Sequence, residues 1–252
     1  MINITATLRN IQTICGAMPD GVWGPETCRR IALRLGVPVV TDDPPSCLVV
    51  DVYHGDKLAV DTAARNGMRA LIAKATQGTN YTDPKFYAFQ LAAGKINLPF
   101  GSYHFGNGSD PIAQADHYLS TINAQPNDLV CLDFETDPHD SVMTPKQACA
   151  FVSEIHRQIG RWPVIYGGNR LKEELTNADR AVLCNCPLWL SQYGPHAVLP
   201  VGWTKYTLWQ YTGDGQGTLS PKTIQGSGNR PDFLDISRFD GTLRELLSAW
   251  PF

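Results

Sequence analysis

Two carboxylates spaced two residues apart are the strongest chemical signal in the sequence. Asp133 and Glu135 interrupt an otherwise apolar run. Because side chains alternate along a strand, both acids are predicted to face one side, with Leu132 and Phe134 on the other. Acids packed together raise each other's pKa, so one carboxyl group can stay protonated as a general acid while its neighbour is ionised. The alternative is a structural ion pair with Lys74 or an arginine.

Two further acids interrupt predicted strands in the same way. Asp51 lies in the apolar run that begins at residue 48, where the alternatives to a functional role are a capped strand end or a partner for Lys74. Asp235 lies between apolar neighbours near the end of the chain, close to Asp232 and Asp240. Of these three neighbouring acids, Asp235 is the one that falls within the predicted strand. It is therefore the predicted fourth acid of the site.

The elements that must position these acids alternate between strands and helices. The predicted strands cover residues 48–53, 69–75, 99–105, 128–135, 163–167, 187–193, 206–211 and 233–237. This alternation indicates parallel strands and an α/β fold, and eight strands predict an irregular (β/α)8-type barrel whose last helices are lost or reduced. A doubly wound sheet is the alternative, but no glycine-rich phosphate motif follows the first strand.

The C-terminal ends of the predicted strands carry polar and aromatic side chains. Barrel enzymes keep their chemistry at this rim, so acids from several strands would meet there within a ring of tyrosines and tryptophans. Such a site suits glycoside hydrolysis, in which one acid protonates the leaving oxygen and a second group stabilises or attacks the oxocarbenium-like centre.

Other catalytic patterns are not found in the sequence. There is no G-x-S-x-G elbow, and His54 and His104 are not part of an H-x-H or H-E-x-x-H motif. The sequence therefore predicts neither a metal nor another cofactor. His104 is predicted to be a hydrogen-bonded residue of the barrel.

Most of the chain resembles family 25 of the glycoside hydrolases, the N-acetylmuramidases of phages and some bacteria. The resemblance extends from about residue 48 to 243 and rests on residues 51–52, 74–83, 101–105, 132–135, 163–167, 187–190, 209–212 and 234–239. It implies an irregular β/α barrel that hydrolyses the β-1,4 bond between N-acetylmuramic acid and N-acetylglucosamine in peptidoglycan and so causes cell lysis.

The resemblance also implies roles for individual residues. Glu135 would be the general acid, Asp133 the adjacent supporting carboxylate, and Asp51 and Asp235 the other acids of the site. The implied substrate-binding residues are Tyr103, Tyr166, Trp189, Gln210, Lys74 and Gln77. Many members carry glutamate where this chain has Gln77.

Several questions stay open at the level of the sequence. The step after protonation could use a carboxylate nucleophile, an activated water or the acetamido oxygen of the substrate. One alternative function is a metal-dependent polysaccharide deacetylase that binds its metal through Asp51, His54 and Asp133. Another is a non-catalytic wall-binding protein.

The N-terminal residues form a predicted small helical domain at residues 1–42, joined by a proline-containing linker at 43–47 to the catalytic domain at 48–252. The stretch from Asp20 to Thr27 resembles the signature of small peptidoglycan-binding domains, which implies that Asp20 and Trp23 bind the cell wall. The alternative is a turn whose Trp23 fills a small core.

Composition limits the partners and the location. Lysine and arginine total 21 against 24 acidic residues, a balance too acidic for non-specific nucleic-acid binding. No apolar run approaches the ~20 residues of a membrane span, and seven scattered cysteines favour free thiols over disulfides. The N-terminus lacks a signal-peptide pattern. We expect a monomeric endolysin that stays in the host cytoplasm until its release and then acts on peptidoglycan.

Overall fold

The computed structural model describes residues 3–16, 19, 27, 31, 34, 46–125, 127–228 and 234–252. The chain divides into two compact units, Met1–Pro45 and Ser46–Phe252. In the first unit, helix α1 (Ile4–Cys15) begins after Asn3, whose side chain accepts a hydrogen bond from the backbone N–H of Ala6. The predicted wall-binding residues Asp20 and Trp23 lie outside the described residues.

The second unit alternates between strands and helices, as predicted. The strands are β1 (Ser46–Val52), β2 (Met68–Gln77), β3 (Tyr81–Thr82), β4 (Phe100–Phe105), β5 (Leu129–Asp133), β6 (Val164–Gly167), β7 (Leu188–Ser191), β8 (Leu208–Thr212) and β9 (Asp235–Asp240). The helices are α2 (Val60–Arg65), α3 (Phe86–Gly94), α4 (Pro111–Ile122), α5 (Pro145–Ile159), α6 (Asn169–Glu173), α7 (Asn177–Leu183) and α8 (Leu243–Ala249). β1 begins at Ser46, inside the predicted linker.

Eight of these strands close into a barrel, which confirms the predicted architecture. β1, β2, β4, β5, β6, β7 and β8 run parallel in this order, and β9 closes the barrel between β8 and β1. The predicted parallel direction of the last strand is wrong, because β9 is antiparallel to both neighbours. A parallel strand needs a crossover to the far end of the barrel. The described residues between β8 and β9 contain no helix that could make this crossover.

Two helices begin at capping signals in the sequence, whereas α3 begins after Lys85, which makes no side-chain cap, and not at the Asp83-Pro84 signal. The Asp110 carboxylate caps α4 by accepting hydrogen bonds from the N–H groups of Ile112 and Ala113. Thr144 and Gln147 form a capping box at the start of α5. These caps fix the residues at which α4 and α5 begin at the rim of the barrel.

Apolar side chains form two layers on either side of the strands. One cluster, which includes Val49, Ile72 and Leu129, fills the barrel, and a larger one packs the outer face of the strands against the helices. His104 lies in the outer layer, where it bonds to Thr76 and Gln114, as predicted for a structural residue. Burial lowers the pKa of His104 to about 3, so this imidazole is neutral.

Two absences hold for the described part of the chain. None of its helices combines the length and apolar character that a membrane crossing requires. Its six described cysteines are free thiols.

Candidate active site

A cavity of about 410 Å³ opens where the parallel strands end. It is lined by Asp51, Lys74, Tyr103, Phe105, Asp133, Glu135, Tyr166, Trp189, Ser191, Tyr193, Gln210, Asp214 and Asp235. All four predicted catalytic acids therefore face one space, although they come from distant parts of the chain. We call it the central cavity.

Alternation along β5 delivers Asp133 and Glu135 to the central cavity, as predicted. Leu132 and Phe134 belong to the outer apolar layer. Glu135 lies two residues beyond the end of β5, so its position depends on contacts outside the sheet. The Arg170 guanidinium provides one by donating a hydrogen bond of 3.1 Å to the backbone oxygen of Glu135 while it stacks 3.9 Å from the Phe134 ring centroid.

Asp51 and Asp235 face each other on neighbouring strands near the same rim. They are register partners of β1 and β9. Asp235 is the first residue of β9 and not a mid-strand residue, which corrects the prediction. It still reaches the rim because β9 runs in the opposite direction. A Cβ at position 213 would lie 1.9 Å from an Asp235 oxygen, so a larger residue than Gly213 would displace this carboxyl group.

Burial and mutual repulsion keep protons on the acidic cluster. Burial is the main cause that raises the pKa of Asp51 to about 8, and the Gln210 amide partly opposes it. Burial, followed by the charge of Asp51, raises the pKa of Asp235 to about 10. The pKa of Asp133 is raised well above its ordinary value by burial and then by Glu135. Burial likewise raises the pKa of Glu135. At neutral pH the cluster therefore binds protons that it can donate.

Gln210 connects the acids to the tyrosines of the cavity. Its amide nitrogen donates to both carboxylate oxygens of Asp51, at 3.2 and 3.1 Å. Its amide oxygen accepts from the hydroxyl of Tyr166 at 2.7 Å and from that of Tyr193 at 3.0 Å. This buried amide orients three other side chains.

The predicted aromatic residues form the floor and wall of the central cavity. Trp189 is almost fully buried and donates its indole N–H to Ser237 at 2.8 Å. The ring of Tyr166 meets it edge to face at a centroid distance of 4.7 Å. Tyr103 is half-buried on β4. These rings shape a narrow apolar wall beside the acids.

Two more cavities extend the central cavity into a groove. The second cavity, of about 470 Å³, shares Glu135, Ser191 and Tyr193 with it. The third cavity, of about 400 Å³, shares Lys74 with it and contains Gln77. Gln77 thus lies beside the acids and not among them.

Sequence reasoning missed some residues of the site. Ser191, Tyr193 and Asp214 line the central cavity, yet none was predicted to be functional. The signal for Asp214 was its position between two glycines directly after β8. Of the two acids weighed against Asp235, Asp240 lines a separate cavity of about 900 Å³ at the opposite end of the barrel, and Asp232 lies outside the described residues.

The metal ligands proposed for a deacetylase are not brought together. His54 bonds to Asp83 at 2.9 Å and lines the third cavity, whereas Asp51 and Asp133 line the central cavity. Within the described residues, no group of three or more His, Cys, Asp or Glu side chains is arranged to hold a metal ion.

Comparison with known proteins identifies the family. The family model described as "Glycosyl hydrolases family 25" matches residues 50–218, more than half of the chain. This chain belongs to glycosyl hydrolase family 25. It is therefore a glycoside hydrolase, as predicted from its acidic residues.

Relatives of this family 25 hydrolase carry lysozyme names. Lysozyme M1 of Streptomyces globisporus is 27% identical over 214 residues, which cover 79% of this chain and 69% of the relative. The lysozyme of Streptococcus phage Cp-7 is 30% identical over 135 residues, covering 51% of this chain and 37% of the phage protein. The crystal structure of a bacterial lysozyme from Streptomyces coelicolor superimposes with a TM-score of 0.69 at 25% identity, covering 82% of this chain and 97% of that structure.

Proposed function

We propose that this family 25 hydrolase is an N-acetylmuramidase, which cleaves the β-1,4 bond between N-acetylmuramic acid and N-acetylglucosamine in bacterial peptidoglycan. The observation that carries the proposal is the gathering of Asp51, Asp133, Glu135 and Asp235 in one cavity that retains protons at neutral pH. The lysozyme names of the relatives support the choice of peptidoglycan as the polymer.

Glu135 is the proposed proton donor because of its place in the groove. It lies at the boundary between the central cavity and the second cavity. When the glycosidic bond lies across this boundary, the sugar that reacts at C1 lies among the acids and the leaving sugar lies beside Arg170 and Gln192. The third cavity, beyond Lys74, takes the next sugar on the other side. The groove therefore suits a polymer that is cut internally.

The reaction uses the protons of the cluster. Glu135 transfers its proton to the bridging oxygen as the bond from C1 to that oxygen breaks, and positive charge develops at C1. An acid of the cluster that is ionised at this stage stabilises the charge, and Asp133 lies at the strand end next to Glu135. Water finally supplies a hydroxyl group to C1, and its other proton returns to the acidic cluster.

The products of digestion test the proposal. Purified peptidoglycan is digested with the enzyme, the new ends are reduced with borohydride, and the fragments are examined by mass spectrometry. We expect reduced muramic acid at every new end, and none after treatment with the Glu135→Gln variant. Reduced glucosamine would indicate a glucosaminidase, and new amino termini without new reducing ends would indicate an amidase.

We also propose that the enzyme acts as a phage endolysin, whose N-terminal residues 1–42 bind the wall through Asp20 and Trp23. The phage relative supports this role. Expression inside a susceptible host tests it: the culture should lyse only after chloroform opens the membrane. Lysis without permeabilisation would contradict storage in the cytoplasm.

A further inference from the structure

A bulge in β2 places Lys74 and Gln77 on the same side of the strand. The register between β2 and β4 shifts between Lys74 and Thr76. Ala75 packs in the outer layer, and Thr76 also faces outwards, where it bonds to His104. Two consecutive residues face out, so Gln77 returns to the rim. The Lys74 ammonium donates a hydrogen bond of 2.6 Å to the amide oxygen of Gln77.

The Gln77 amide is anchored at its other end. Its nitrogen donates to the carboxylates of Asp137 and Asp140, at 3.3 and 3.0 Å. Asp140 also accepts a hydrogen bond of 2.9 Å from Asn107. Both N–H groups of Gln77 are therefore bound to protein. The side chain has no donor for a substrate, but it holds a fixed acceptor toward Lys74.

The Lys74 ammonium and the Asp133 carboxyl group face the same cavity without forming an ion pair. Lys74 lies near the faces of the Phe105 and Tyr81 rings, at 4.8 and 5.7 Å from their centroids. Among the described residues, no carboxylate oxygen lies within 4.0 Å of its nitrogen. One Asp133 oxygen is buried and has no hydrogen-bond partner. Buried acceptors are normally hydrogen-bonded, so the structure must explain why the Asp133 oxygen does not pair with the Lys74 ammonium in the same cavity.

We propose that Gln77 is a positioning residue, which holds the Lys74 ammonium away from Asp133 and leaves the unpaired Asp133 oxygen available to a hydroxyl or amide N–H of the bound sugar. This inference rests on the proposed function. It assigns the side chain at position 77 an indirect role in place of direct substrate binding.

The pKa of Asp133 depends on several groups besides Lys74. The charged and titratable groups that face it are Asp51 on β1, Lys74 on β2, Tyr103 on β4, Cys131 on β5, Glu135 after β5 and Tyr166 on β6. Lys74 is the only cation in this set, so a change in its position alters the Asp133 titration in a known direction.

Two substitutions at position 77 should shift that titration in opposite directions. In Gln77→Met the ammonium loses its acceptor and reaches Asp133, so the pKa of Asp133 falls by about one unit or more. In Gln77→Glu the new carboxylate pairs with Lys74 and cancels its charge, so the pKa of Asp133 rises. The measurement is a pH titration of the ¹³C-labelled aspartate carboxyl groups by NMR, with the Asp133 signal assigned from Asp133→Asn.

Asp140→Asn is the matched control. It weakens the loop end of the network but leaves the contact between Lys74 and Gln77, so it should shift the Asp133 titration by less than half of the Gln77→Met shift. Equal shifts in Asp140→Asn and Gln77→Met, shifts of one sign in both position-77 variants, or no shift would overturn the inference. If Gln77→Met does not fold, the test is whether Gln77→Glu raises the pKa of Asp133 by more than twice any shift in the control.

Kinetics complete the test and separate it from the proposed function. Gln77→Met should lower kcat on cell walls about tenfold, the cost of one hydrogen bond to the reacting sugar. The NMR titration does not require turnover. If the wild type releases fragments with muramic acid ends but the two position-77 variants do not shift the Asp133 titration in opposite directions, this inference alone is wrong. If the wild type releases no fragments with muramic acid ends, the proposed function is wrong, whatever the titration shows.

Discussion

Replacing Asp235 with asparagine should stabilise the barrel while it impairs catalysis. The folded protein raises the pKa of Asp235 to about 10 from an ordinary value of 3.8, mainly by burial. Between these two pH values the folded state keeps a proton that the unfolded state has released. Folding therefore takes up a proton, and the free energy of unfolding decreases as pH rises. Asparagine has no such proton, so the variant escapes this cost.

The magnitude follows from the two pKa values. Each pH unit above 3.8 costs the wild type about 1.4 kcal/mol, which amounts to about 4 kcal/mol at pH 7. Asp235 faces an open cavity, so water reduces this upper bound, and we expect about 1–3 kcal/mol. The gain should vanish near pH 4 and increase steadily through neutrality.

Urea denaturation at pH 5, 6, 7 and 8 measures this gain. The curves of unfolding free energy against pH should diverge, with Asp235→Asn the more stable protein at every pH above 5. The control is Asp240→Asn, which removes an acid from the opposite end of the same strand and shows whether the change in slope is specific to the central cavity. Parallel curves for Asp235→Asn and the wild type would show that Asp235 is ionised in the folded state and that the acidic cluster does not retain this proton.

Three further predictions concern the groove and the N-terminal unit. Glu135→Gln should lower kcat by about 10³-fold or more with an unchanged circular dichroism spectrum, because the amide cannot donate the proton. Arg170→Met removes the hydrogen bonds to the backbone oxygens of Glu135 and Met143, so it should lower kcat at least tenfold and the free energy of unfolding by about 1–3 kcal/mol. Removal of residues 1–42 should weaken sedimentation with cell walls more than it slows the cleavage of soluble fragments.

Each of these predictions has a result that contradicts it. Activity in Glu135→Gln that equals that of the wild type would mean that another acid donates the proton. An Arg170→Met variant with reduced stability and normal kcat would give Arg170 a purely structural role. Equal losses on both substrates after truncation would count against wall targeting by the N-terminal unit.

Local patterns in the sequence were sufficient to predict most of the barrel. Strand alternation depends only on neighbouring residues, so it correctly assigned Asp133 and Glu135 to the cavity and Leu132 to the outer layer. Capping is equally local, because Asp110 and Thr144 each cap the helix that follows them within a few residues. Each of these features depends on backbone geometry over a few residues.

Features that depend on contacts between distant segments needed the tertiary structure. The direction of β9 is decided by how the chain returns to the barrel, so Asp235 reached the rim by a route that its neighbours in the sequence do not reveal. The hydrogen bonds of Gln210 join three strands and a loop. The bulge that turns Gln77 towards Lys74 appears only when β2 is paired with β4.

The sequence by itself determined which residue types could carry acid catalysis and on which side of their strands they lie, because both depend on composition and local period. Only the tertiary structure decided which of these groups share protons and which merely orient a neighbour. The physical reason is that burial, repulsion and hydrogen bonding act over a few ångströms in space, and in a closed barrel the nearest groups come from opposite ends of the chain.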